Sequence, residues 1–474
     1  MLSKVLAYFE ELSKIPHGSG NTYEISQYCV NFAMSHGYDY YTDDTNNVII
    51  YAPATKGLED RETILLQGHL DMVCEAAPNV NFDFNKDSLK LYRDGDFLKA
   101  EGTTLGGDDG IAVAIALAIL DSDVPHPALE VLFTTDEETG MHGAIAIDAE
   151  RISSRTLINI DSEEEGVITA GCAGGACAEI VVPVTPVCVD DDDEDEDCYR
   201  VKVCGLIGGH SGSDINKGRL NSNVVMGEYL AFLESNDISI RLISLDGGDK
   251  DNVIPNMTEA VIFAFPDITD LTKSFIETYE FGADKNLDIV VEKIKCQKAP
   301  FMMLGKTDTE RINDVLSSVP NGVQSMSSEI KGLVQTSLNF ASVHFDSRTL
   351  KLRFLVRSSV EEEKEQLLDR LTTIATDLGG SIFFDSEYTA WEYAKESKLR
   401  DKMIEVYKRQ NGKEPRVEVI HAGLECGILA GKLSGLDAVS IGPDILDIHS
   451  PSERLSISST ERVIKLILGV LEEY

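Results

Sequence analysis

Apolar and polar positions recur along this chain with two periods. Residues 2–12 and 23–36 carry apolar side chains at helical spacing, and residues 47–51 and 63–67 form the short apolar runs expected of strands. A nearly continuous apolar stretch at 110–120 predicts a buried helix, and strands follow at 130–134 and 156–160. Beyond Gly171 the style changes. Strands at 178–183 and 199–204 lead to a helix at 223–234 and strands ending at 261–265; a second, similar passage has strands at 337–344 and 351–356 and a helix at 360–378. The two passages form a weak internal repeat. Helix and strand alternate again at 399–411, 416–420, 424–432 and 437–441, with a closing helix from Ser458. The prediction is an α/β fold in which 1–177 and 390–474 build one domain, a mixed sheet flanked by helices. It is interrupted by an inserted α+β domain over 178–389 made of two small sandwich-like halves.

Composition supports folded units of this size, with 474 residues and 43% apolar content. Charge narrows the partners: 42 basic against 81 acidic residues leave −39, which argues against nucleic acid and anionic membrane surfaces. The run from Asp190 to Asp197 is acidic at every position and reads as a solvated loop. No basic segment followed by an apolar stretch opens the sequence, and its longest apolar run, 111–120, is about half a bilayer span. A cytoplasmic protein is expected. Its nine cysteines include no CxxC pair and suit a reducing compartment better than a disulfide scaffold or a cysteine zinc site.

Candidate chemistry gathers where apolar strands run out. His69 and Asp71 follow the strand at 63–67 and share a face; they are either a hydrogen-bonded structural pair or a metal-binding imidazole with a carboxylate that orients it. Asp108, in Gly106-Gly107-Asp108-Asp109-Gly110, either caps the apolar helix or bridges two cations. Asp136-Glu137-Glu138 follows the strand at 130–134, so that one carboxylate can bind metal while its neighbour takes a proton from water. Asp161 ends the strand at 156–160, and His449 stands in a loop before Ser450-Pro451. Each motif alone is weak, but open α/β sheets place their sites beyond the carboxyl ends of strands, and all five coincide there. The donor set is nitrogen and oxygen without thiolate, which favours zinc, with manganese or cobalt as alternatives.

These motifs in this order resemble the dizinc metallopeptidases of the aminoacylase and carnosinase clan. Ile15-Pro16-His17-Gly18-Ser19-Gly20, Gly208-Gly209-His210-Ser211-Gly212, Asn252-Val253-Ile254-Pro255-Asn256 and His421-Ala422-Gly423-Leu424-Glu425-Cys426-Gly427 are similar to the aminoacyl-histidine dipeptidase (peptidase D) branch. The resemblance covers essentially the whole chain. It implies a zinc-peptidase-like catalytic domain with an inserted lid, and two divalent ions per chain. His69 and Asp161 would share one ion, Glu138 and His449 the other, with Asp108 bridging. Glu137 would be the general base toward a water between the ions, and Asp71 the carboxylate behind His69. From the lid, His210 would steady the oxyanion. Asn252 and Arg357 would bind the substrate's backbone and C-terminal carboxylate, with Arg353 on the same strand face as the alternative clamp. His421, Gly423 and Glu425 would line the pocket, although His421 and Glu425 equally suit a structural role at a helix start.

The implied activity is hydrolysis of unsubstituted dipeptides, with a preference for Xaa-His. Two other readings stand beside it: a clan amidohydrolase acting on N-acyl amino acids or short peptides, and a nonenzymatic relative that only binds. Gly209-His210-Ser211-Gly212-Ser213 lacks the closing glycine of a nucleophile elbow, and no HExxH helix is present. A homodimer stays open as the assembly.

Overall fold

The strands that lead into the candidate ligands are buried along their whole length: Ile64–His69, Leu129–Thr134 and Thr156–Asn159. Successive side chains point to opposite faces, and each face has its own core. Ile64, Leu66, Val131, Phe133 and Ile158 enter one; Leu65, Leu132 and Leu157 enter the other. A sheet covered on both faces leaves few strand positions for a charged side chain; Glu130 is one, buried and accepting from the Ser153 and Ser154 amides, and the candidate ligands stand at the strand ends.

The computed structural model describes residues 1–189, 198–295, 301–345 and 348–474, and the acidic run expected to be a loop lies outside them. The chain forms two units, Met1–Cys172 with Thr389–Tyr474, and Ala173–Tyr388. The first holds an eight-stranded sheet in the spatial order Asp39–Thr42, Val48–Ala52, Leu129–Thr134, Ile64–His69, Thr156–Asn159, Asp437–Ser440, Val167–Cys172, Arg416–Ile420. Ile64–His69 runs parallel to both its neighbours, and Asp437–Ser440 is parallel to Thr156–Asn159. Four carboxyl ends therefore open at one edge. The apolar helix Gly107–Leu120 is buried almost throughout, as its composition requires.

The second unit is an antiparallel sheet over a single core. The two halves read from the sequence meet edge to edge, where Leu245, Asp246 and Gly247 pair with Phe345, His344 and Val343. Thr258–Phe265 alternates buried and half-exposed positions, while Thr349–Ser358 is buried throughout its last five residues. Helices Thr269–Thr278 and Lys306–Ser318 and the exposed hairpin strand Leu91–Asp94 went unpredicted, and few of their residues are buried. Cys198 is disulfide-bonded, a departure from the expected thiols. Among the described residues no helix is long and apolar enough to cross a membrane.

Candidate metal centre

His69 ends its strand at 1% exposure, and its ring is set by its own turn: Nδ1 lies 3.0 Å from the Asp71 main-chain oxygen and 3.5 Å from its carboxylate. The nearer carbonyl accepts the Nδ1 proton, which turns Nε2 into the site as a bare donor atom. Gly68, just before it, has no room for a side chain, since a Cβ would sit 2.5 Å from the Asp109 carboxylate and 2.6 Å from Ala112.

Nε2 of His69 faces Asp108 Oδ1 at 3.2 Å and Asp161 Oδ1 at 3.5 Å. On the other side, Nε2 of His449 faces Asp108 Oδ2 at 3.2 Å and Glu138 Oε1 at 3.0 Å. Each oxygen of Asp108 thus meets a different imidazole. Ligand atoms of His69, Asp108 and Asp161 lie within 4.8 Å of one another, as do those of Asp108, Glu138 and His449, and those of His69, Glu137 and Glu138. Carboxylates outnumber imidazoles, and the protonation of the cluster answers that excess. Asp108 and Glu138 hold His449 up at about 10. Burial raises Asp161 to about 6. Two divalent cations would fit this nitrogen and oxygen set and relieve its charge.

Glu137 stands beside this pair. Burial first, then the carboxylates of Asp161, Glu425 and Glu138, push it well above the ordinary range against the pull of His69. Asp71 is buried too, but burial is outweighed by His69, Ser19 and the Glu137 amide, and its carboxyl stays below its usual range. Its oxygens accept from Ser19 Oγ at 2.8 Å and from the Glu137 and Glu138 amides at 3.1 and 3.3 Å. Asp71 therefore also braces the loop that carries Glu137 and Glu138.

The pocket-lining residues divide. His421 and Gly423 are half-buried. Glu425 is fully buried, and its Oε2 accepts from Gln67 and from Thr134 Oγ1 at 2.7 Å. Glu425 opens the helix Glu425–Lys432, which suits a structural role at a helix start, while its Oε1 has no partner among the described residues. Burial also raises its carboxyl to about 7.

In the unit Ala173–Tyr388, His210 pairs with Val253, and Ser211 N donates to Asn252 O at 2.8 Å, so His210 and the exposed Asn252 are neighbours. The Gly212 and Ser213 amides donate to His210 Nδ1, both at 3.2 Å. Nδ1 is therefore an acceptor, and the neutral ring carries its proton on Nε2. Burial, then Arg357, lowers the imidazole pKa and favours that neutral donor. Arg353 is saturated by Asp251 and Asp385 at 2.8–2.9 Å. Arg357 is 7% exposed and donates to Tyr388 Oη at 3.0 Å, while its Nε has no partner among the described residues. Arg357 is thus the guanidinium with donors to spare. A further acidic group, Glu361, Glu365 and Glu387, surrounds the buried amine of Lys364 at 2.6–4.0 Å, which offsets part of its charge.

Two residues gained no role from the sequence: Ser19, and Glu453 of the His449 loop. The double glycine at 106–107 was the available signal for Glu453, because such a turn gathers amides that need an acceptor.

Residues 65–473 match the model of peptidase family M20/M25/M40. The chain is 35% identical over 473 residues to the cytosol non-specific dipeptidase of Escherichia coli (strain K12), covering 98% of this chain and 96% of that protein. The crystal structure of aminoacylhistidine dipeptidase from Vibrio alginolyticus superposes with a TM-score of 0.87 at 33% identity, over 99% of this chain and 96% of that one. Aminopeptidase PepT from Bacillus cereus ATCC 10987 shares the fold alone, with a TM-score of 0.58 at 16% identity over 100% and 98% of the two chains. With the family match and the first two relatives spanning nearly its whole length, this chain belongs to peptidase family M20/M25/M40.

Proposed function

We propose that this chain is a cytoplasmic two-metal dipeptidase that cleaves unsubstituted dipeptides, Xaa-His among them. The observation that carries it is Asp108, whose two oxygens face two imidazoles, each accompanied by one further carboxylate. His69, Asp161 and Asp108 would hold one ion, Glu138, His449 and Asp108 the other, and zinc suits these donors best, with manganese or cobalt as alternatives. Two ions at such a site supply a Lewis acid and an activated water. Glu137, half-buried beside the ligands, would take the proton of the attacking water and return it to the leaving amine. Nε2 of His210 donates to the developing oxyanion. Asn252 orients the substrate backbone, and Arg357 receives the terminal carboxylate through two parallel bonds. Gly423, His421 and Glu425 contribute to the pocket wall. The names of both relatives support the dipeptide class, and that of the Vibrio alginolyticus protein supports the histidine preference. The net charge of −39 supports a partner that is neither nucleic acid nor membrane.

The test is a hydrolysis panel with added zinc or manganese: Xaa-His dipeptides, other dipeptides, tripeptides and N-acetyl amino acids. Dipeptides are expected to turn over fastest. Faster turnover of N-acetyl amino acids would favour the amidohydrolase, and no turnover of any substrate by a metal-loaded protein would favour the binding relative.

A further inference from the structure

Glu453 lies four residues beyond His449 and is 4% exposed. Its carboxylate accepts from consecutive main-chain amides: Leu105 at 2.7 Å and Gly106 at 3.2 Å on Oε2, Gly107 at 2.8 Å and Asp108 at 3.4 Å on Oε1. Amides converge on one anion only where the backbone curls, and Gly106 supplies the curl at φ +67°. Gly107 leaves the space, since a Cβ there would come within 3.1 Å of Oε1. Such a nest at a helix start is built to hold an anion, and here the chain fills it with its own carboxylate.

The contact ties together two loops that carry candidate ligands. One end fixes the backbone of Asp108. The other is the 447–453 loop, where Asp447 and His449 sit at φ +53° and +56°. Non-glycine residues keep such angles only when their surroundings over-determine them. The Glu453 amide donates to Ser450 O at 3.1 Å, closing a turn just after His449.

We propose that Glu453 is a positioning residue of the metal centre, which holds Asp108 and His449 in register so that one oxygen of Asp108 meets each imidazole. The proposal rests on the two-metal reading above. It carries an asymmetry: the ion held by Asp108, Glu138 and His449 depends on Glu453 through two ligands, the ion held by His69, Asp161 and Asp108 through one. Glu453→Gln keeps the volume but turns an amide N–H₂ toward two of the donors. Glu453→Asp keeps the charge but draws it back by one methylene.

The experiment titrates zinc into metal-free parent, Glu453→Gln and Glu453→Asp against a chromophoric chelator at neutral pH, with near-UV circular dichroism to confirm folding. The parent is expected to bind two ions. Glu453→Gln should weaken binding roughly 10–100-fold, one ion more than the other, with the folded spectrum kept. Two ions bound with parental affinities by folded Glu453→Gln, even with a lowered Tm, overturn the proposal alone. If Glu453→Gln does not fold, Glu453→Asp carries the same test. Failure of both to fold in saturating zinc assigns Glu453 to the fold and overturns the positioning role. A folded parent that binds no pair of ions overturns the two-metal reading and this proposal with it.

Discussion

In the unit formed by Met1–Cys172 and Thr389–Tyr474, the strands leading to the candidate ligands are parallel to one another and buried at every position. In Ala173–Tyr388 the strands are antiparallel, and in Thr258–Phe265 buried positions alternate with half-exposed ones. The first arrangement gives most strand side chains to packing, with the buried Glu130 held by the Ser153 and Ser154 amides, and the candidate ligands collect at the strand ends at one edge. The second leaves side chains within strands free to differ in use. Arg353 and Arg357 stand in the same strand, Thr349–Ser358, yet one is consumed by two carboxylates and the other keeps donors unused. A sheet buried on both faces concentrates chemistry at its ends, and a sheet covered on one face distributes it along its strands.

The contrast can be broken where each unit is expected to act. Glu137→Gln should keep its metals and lose roughly 10²–10⁴-fold in kcat. His210→Ala should lose roughly 10²–10³-fold in kcat with metal content intact. Steady-state kinetics beside elemental analysis checks both, and loss of metal from His210→Ala would erase the division of labour between the units.

The buried carboxyl of Glu425 tests the packed unit by pH. Its pKa is about 7 when folded, against 4.5 as the ordinary value, so the folded state holds a proton that the unfolded state has released between those values. Stability therefore falls as pH rises from about 4.5 through 7, by about 3 kcal/mol in the metal-free protein. Glu425→Gln cannot release that proton, and urea unfolding across pH 5–8 is expected to show a flatter profile than the parent. Equal slopes would remove Glu425 as the source.

The smallest effect separates the two arginines. Arg357→Ala should raise KM for a dipeptide about tenfold to hundredfold, the worth of a charged hydrogen-bond pair of roughly 1.5–3 kcal/mol, with little change in Tm. Arg353→Ala should lower Tm and leave KM nearly as it was. The opposite assignment of the two effects would mean that saturation by carboxylates does not decide which arginine is available.

Much of the fold could be read in advance because its period is strong. The helix at Leu2–Leu12 and the strand at Arg416–Ile420 stand where the apolar spacing put them. The helix Thr269–Thr278 was missed although Leu271, Phe275 and Ile276 recur at helical spacing in it. For the site, the motifs named His69, Asp108, Glu138, Asp161 and His449 through resemblance, and the structure brings their ligand atoms together. Spacing held no information about the burial of Glu425, the choice between Arg353 and Arg357, or the amides that Glu453 gathers. Each of these depends on a partner far away in the chain.

By itself the sequence determined which residues could form strands and helices and where acids and histidines would fall relative to them, because periodicity and turn chemistry are local. It also determined the donor chemistry, nitrogen and oxygen without thiolate. Only the tertiary structure decided which oxygen of Asp108 faces which imidazole, that His210 presents Nε2–H, and which loop amides hold Glu453. Those are matters of ångströms between groups that only folding brings together, and burial sets the protonation that makes them usable.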